Sequence, residues 1–220
     1  MDTDIFSRSY FRTSVGNIEF KRFKDLVLPD IKILTEKTPR FKALEEHFSF
    51  HVDNSQEAAL QLSFGSRNML RRDSVEKAAT EKGAALLYTL GPTGEVTVIL
   101  CPVTSNLAKP VEDHIYLRIG RYSGYQLSRL LRRDLKDLVA YSCVTSLDAE
   151  PTLSEQLRIW WLRHTRPTQI KGEYIRPLSF GYAGTPLDST TRTMAMALLK
   201  PLAVFAIAAL LIYFGTLLKH

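Results

Sequence analysis

Arg158 and His164 stand six positions apart in Arg158-Ile-Trp-Trp-Leu-Arg-His164. An imidazole can exchange a proton near neutral pH and a guanidinium can contact an anion. A second set is Arg129, Arg132, Arg133 and Lys136, with Arg118 and Arg121 just upstream. At i, i+3, i+4 and i+7 these four cations share one helix face and could track phosphates or anionic headgroups, or simply be solvated. His47 and His51, beside Glu45 and Glu46, could offer two imidazoles to one metal from a helical turn. Phe48, Phe50 and Val52 alternate with them as a strand would, however, and no third ligand is identifiable, so no metal site is expected. The sequence holds no G-x-S-x-G, P-loop, G-x-G-x-x-G or paired C-x-x-C. Gly91-Pro-Thr-Gly94 is hairpin chemistry rather than a phosphate cradle. No catalytic residue is assigned from spacing alone, and no cofactor is expected.

The Arg158-to-His164 interval resembles the arginine–histidine motif of HEPN ribonucleases. Across this short stretch the resemblance implies a nuclease or nucleotide hydrolase in which His164 serves as acid–base and Arg158 stabilises the scissile phosphate. Read as helix surface alone, the same stretch is an amphipathic helix with Trp160 and Trp161 packed inward.

The elements that must position these groups follow from hydrophobic periodicity. Residues 24–34 read as an extended element interrupted at Pro29, which places it at a sheet edge. Thr38-Pro39 opens a helix over 40–48, and Leu60, Leu62 and Phe64 alternate with polar residues in a half-buried strand over 58–64. Asp73 with Glu76 predicts a capping box for a short helix that Gly83 stops. Residues 84–90 and 95–101 form a hairpin around Gly91 and Gly94. Apolar residues on both faces of 96–101 make it a central strand. Residues 114–119 give a further strand. Leu127, Leu130, Leu131, Leu135, Leu138 and Val139 line one side of a helix over 125–142, with the four cations on the other. A capping box at Thr152 and Glu155 starts the helix that carries Arg158 and His164, and Arg166-Pro167 closes it. Residues 168–193 lack periodicity and read as a linker. The fold class expected is α+β, a mostly antiparallel sheet with helices on one face, over a cytosolic domain of residues 1–167.

The cellular setting is read from residues 194–218. From Pro201 to Leu218 no residue is charged. About 18 residues at roughly 1.5 Å each span about 27 Å, near the hydrocarbon thickness of a bilayer. About ten Leu, Ile, Val and Phe, among them Leu202, Phe205, Ile207, Leu211, Phe214 and Leu218, supply roughly −3 to −6 kcal/mol towards insertion. This predicts a transmembrane tail anchor. Arg176, Arg192 and Lys200 precede it against Lys219 after it, and the first residues lack a secretory h-region, so the N-terminal domain is placed in the cytosol. Two widely spaced cysteines, Cys101 and Cys143, agree with a reducing compartment. The net charge of +6, from 29 basic and 23 acidic residues, suits an anionic neighbour.

The organisation resembles that of membrane-acting effectors of bacterial antiviral defence, in which a small sensing domain drives association of membrane helices. The leading expectation is a single-pass, tail-anchored protein whose domain senses a ligand or partner and acts at the membrane. Its expected partners are the lipid bilayer, a second copy or a cytosolic protein, with nucleotide or nucleic acid as a further class. The alternatives are an anchored nuclease or nucleotide hydrolase using Arg158 and His164, and a non-enzymatic membrane scaffold.

Overall fold

Phe20, Phe23 and Val27 recur at i, i+3 and i+7, and all three are buried. They belong to a long first helix. A computed structural model describes residues 7–72 and 78–175 of the chain. It begins with helices α1 (Ser7–Val27), α2 (Ile31–Glu36) and α3 (Phe41–His47). The extended element expected over 24–34 is therefore helical. Val27 and Ile31 continue the apolar face across the break at Pro29, and Lys24, whose Nζ donates to the Gln56 carbonyl (3.0 Å), is held against the body. Pro29 ends one helix instead of marking a sheet edge.

Seven antiparallel strands form the main sheet: β1 (Phe50–Asp53), β2 (Ala59–Phe64), β5 (Ala85–Leu90), β6 (Val96–Cys101), β8 (His114–Gly120), β9 (Thr168–Ile170) and β10 (Glu173–Ile175), in that spatial order. β6 lies fourth of the seven, central as its two apolar faces require. A smaller antiparallel sheet pairs β3 (Ser66–Arg72), β4 (Ala78–Lys82) and β7 (Thr104–Ser105). The short helix expected over 73–83 is thus corrected for its second half. Residues 78–82 alternate, with Ala79 and Glu81 inward, and pair with β3; long-range pairing overrides a local capping signal. The capping pair Asp73 and Glu76 lies outside the described residues. Gly83 is a bend between β4 and β5: a Cβ there would stand 2.4 Å from Phe64 Cβ, and Gly83 N–H donates to the Gly65 carbonyl (2.8 Å).

Two helices complete the domain, α4 (Gly124–Thr145) and α5 (Leu153–Thr165). Each starts with a complete capping box, Ser123 with Gln126 and Thr152 with Glu155. α1 and α4 cover the sheet face that carries Leu62, Leu86, Tyr88, Val98 and Leu100; the Phe23 ring of α1 packs at a tilt against that of Tyr88, their centres 4.9 Å apart. Gly124 N–H donates to Glu19 (2.7 Å), tying the start of α4 to α1. The first residues of the expected linker are also sheet. β9 and β10 form a hairpin whose turn, Lys171 (φ 51°) and Gly172 (φ 82°), has the left-handed pair that a two-residue hairpin uses, and β9 pairs with β8. Strands of three residues are too short to show a period in sequence.

Candidate functional site

The capping box at Thr152 sets the phase of α5. Ile159 and Leu162 turn inward, and the two arginines flanking them reach buried carboxylates. Arg158 Nε donates to Asp137 on α4, and its terminal nitrogen donates to the Arg133 carbonyl (3.2 Å). Arg163 Nε donates to Glu112 (2.7 Å), which also accepts from the Tyr141 hydroxyl (2.9 Å). His164 is exposed. Its Nδ1 donates to the Trp160 carbonyl (2.7 Å), and its ring lies 4.4 Å from the Trp160 ring. Six positions of an α-helix separate two side chains by roughly 120° around the axis. Arg158 and His164 therefore leave α5 on different flanks, and the structure does not bring them together over a common point.

Arg158 is a clamp between α5 and α4. Burial pushes the Asp137 carboxyl above its usual range, and Arg158 pulls it back only in part. Arg158→Ala is expected to cost about 2 kcal/mol, less than a fully buried pair because the guanidinium is partly exposed. A carboxyl with a raised folded-state pKa holds its proton more tightly in the folded protein, so its protonation favours folding. The deficit of Arg158→Ala relative to the parent should therefore narrow as pH falls through that raised range. His164→Ala should stay within about 0.5 kcal/mol at every pH, as expected of an exposed side chain. Urea unfolding at a series of pH values descending from about 8 reads both. A negligible deficit for Arg158→Ala at neutral pH would remove the clamp.

Two further buried carboxylates are held in the same way. Asp134 of α4 accepts from the Tyr88 hydroxyl (2.6 Å) and from both terminal nitrogens of Arg118, one at 2.6 Å to Oδ1. Burial opposes the Arg118 charge, but the hydrogen bonds and charge of Asp134 outweigh it and raise the guanidinium's pKa; burial and the same carboxylate push the Tyr88 hydroxyl far up. Glu81 of β4 accepts from Arg67 (2.6 Å), the Ser146 hydroxyl (3.1 Å) and the Leu147 N–H (2.8 Å). Among the described residues every buried side-chain nitrogen and oxygen has a partner. The ionic groups of the interior are thus spent on joining elements to one another.

The remaining chemistry-bearing residues are scattered. His47 ends α3, whereas His51 lies on β1 and pairs with the Ser49 hydroxyl (2.8 Å). Among the described residues no three His, Cys, Asp or Glu cluster as a metal site would require. Burial, with Glu155 nearby, pushes the Cys143 thiol up to about 11, and burial raises Cys101. Both stay thiols at neutral pH.

The surface outside this framework is charged on one helix and greasy on the next. Arg129, Arg132, Arg133 and Lys136 are all exposed on α4 and make no ion pair among the described residues. Trp160 (53% exposed) and Trp161 (58%), expected inward, point out of α5 with Leu153 (78%) and Leu157 (66%). With Arg158 and Arg163 fixed at its two flanks, α5 can bury only the narrow strip between them. The tryptophan face is left outside. Among the described residues no helix is long and apolar enough to cross a membrane. The anchor residues Leu202, Phe205, Ile207, Leu211, Phe214 and Leu218 lie outside the described residues. No protein-family model, curated protein or solved structure matches this chain.

Proposed function

We propose that this is a membrane-anchored protein whose α+β domain senses a ligand or partner and acts at the bilayer through recruitment or self-association rather than by turnover. The observation that carries this reading is the uncharged run Pro201–Leu218, of bilayer length and bracketed by Lys200 and Lys219. Two features of the domain support it. The ionisable groups of its interior are engaged in holding elements together, and its exposed cations offer an electrostatic complement to an anionic leaflet. The cytosolic placement of the domain belongs to the same proposal and rests on the basic residues ahead of the run.

Alkaline carbonate extraction of membranes from cells expressing the full chain tests the reading. The chain is expected in the membrane pellet, and removal of residues 194–218 should move it to the supernatant. Release of the full chain by carbonate would overturn the proposal.

A further inference from the structure

α5 presents an unusual combination for a helix at a protein surface. Leu153, Leu157 and Trp160 recur at i, i+4 and i+7 with Trp161 beside them, and all four side chains are more than half exposed. His164 follows at the next step of the stripe, its ring 4.4 Å from that of Trp160, and exposed large apolar side chains grouped in this way mark an interaction site. The neighbouring helix supplies the second half. Arg158 donates to the Arg133 carbonyl and to Asp137, so the flank of α5 that bears Arg158 lies against the turn of α4 bearing Arg133. Trp161, three residues after Arg158, follows it along that flank. The unpaired cations Arg129, Arg132, Arg133 and Lys136 thus run beside the tryptophan face. The acid in the first turn of α5, Glu155, is engaged with Arg40 and with its own cap.

We propose that the outer face of α5 and the basic face of α4 form one docking surface for the interface of an anionic lipid bilayer. Indole rings settle at the headgroup level, where their apolar body and N–H are both satisfied. Leucines beside them enter the acyl boundary, and the flanking cations meet anionic headgroups. Charge complementarity selects this occupant. A second copy docked face to face about a two-fold axis would bring a run of unpaired cations towards its own equivalent. The inference rests on the membrane-anchor reading and adds a second, peripheral contact to it.

Trp160 and Trp161 are the only two tryptophans in the chain, so emission excited beyond the tyrosine band reports on this face alone. The full chain is reconstituted in phosphatidylcholine vesicles with and without phosphatidylserine, using lipids brominated just below the headgroup. In the anionic vesicles the emission should shift to the blue, lose at least half its intensity to bromine and become protected from aqueous iodide. In pure phosphatidylcholine, or in Arg129→Glu/Arg132→Glu/Lys136→Glu, bromine quenching should fall several-fold. Molar salt should have the same effect. Indoles that remain open to iodide and untouched by bromine in anionic vesicles would overturn the proposal. So would indoles protected from both quenchers, which would mean that protein covers the face. Flotation with pure phosphatidylcholine vesicles reports the anchor separately. A chain that floats there, yet is not quenched by bromine in anionic vesicles, has the anchor and lacks the docking surface. A chain that fails to float there, yet is quenched in anionic vesicles, does the reverse.

Discussion

Arg118→Ala is expected to lower the stability of the domain by about 3–5 kcal/mol, the cost of leaving a fully buried carboxylate without its cation. Asp134 is completely buried, and its charge partner is Arg118, itself 10% exposed. Tyr88 donates one hydrogen bond but brings no charge. Domains of this kind are stable by roughly 5–15 kcal/mol, so the loss removes at least about a fifth of the total. The urea midpoint should fall accordingly, with little change in the slope of the transition. Partial rescue distinguishes lost charge balance from lost packing. Arg118→Met with Asp134→Leu removes both charges but strands the Tyr88 hydroxyl, worth about 1–3 kcal/mol; adding Tyr88→Phe should recover that part. If Arg118→Ala alone costs under about 1 kcal/mol, water reaches Asp134 and the triad does not hold α4 to the sheet.

That triad also shows where the sequence is readable and where it is not. Asp134 lies three residues after Leu131 and four before Leu138, inside the apolar stripe of α4, so its burial is visible in the helical period. Its partner is hidden. Arg118 reads as part of the solvent-facing basic stretch because strand alternation puts it opposite Ile115 and Leu117. The structure shifts register between β6 and β8, so that Val98 pairs with Arg118 while Ile99 pairs with Tyr116, leaving Leu117 as the extra residue. This bulge turns both Ile115 and Arg118 towards the helices. A bulge carries no signal in residue type here. The same holds for the tryptophans. Sequence places Trp160 and Trp161 on a helix with a capping box, and both features are present, but which face is buried depends on Asp137 and Glu112, 21 and 51 residues from the arginines they hold. Hairpin β5–β6, strand β2 and helix α4 are legible because each repeats a strict period; α1, β4 and the β9–β10 hairpin are not, because their partners decide them.

Leu210→Arg is expected to cut carbonate-resistant membrane association sharply. Leu210 lies at the middle of the uncharged run from Pro201 to Leu218. An arginine at the centre of a membrane helix costs about 2.5–3.5 kcal/mol, and the leucine it replaces contributed roughly 0.3–0.6, a swing of about 3–4 kcal/mol. Set against the roughly −3 to −6 kcal/mol that the apolar residues supply, between none and about half of the drive to insert is left, a fall of two orders of magnitude or more in partitioning. Position should matter as much as charge. Leu202→Arg adds the same cation beside Lys200, where a long side chain reaches the headgroups, and should leave the chain in the pellet. A buried helix of a water-soluble fold makes a different pattern: its tolerance follows a 3.6-residue period around the helix rather than distance from the middle. Carbonate extraction of a scan of single arginines from Leu202 to Leu218 therefore decides the matter. A loss that peaks near Leu210 and fades towards both ends supports the span, whereas release by carbonate of the parent and of every variant alike would replace it with a helix packed on protein.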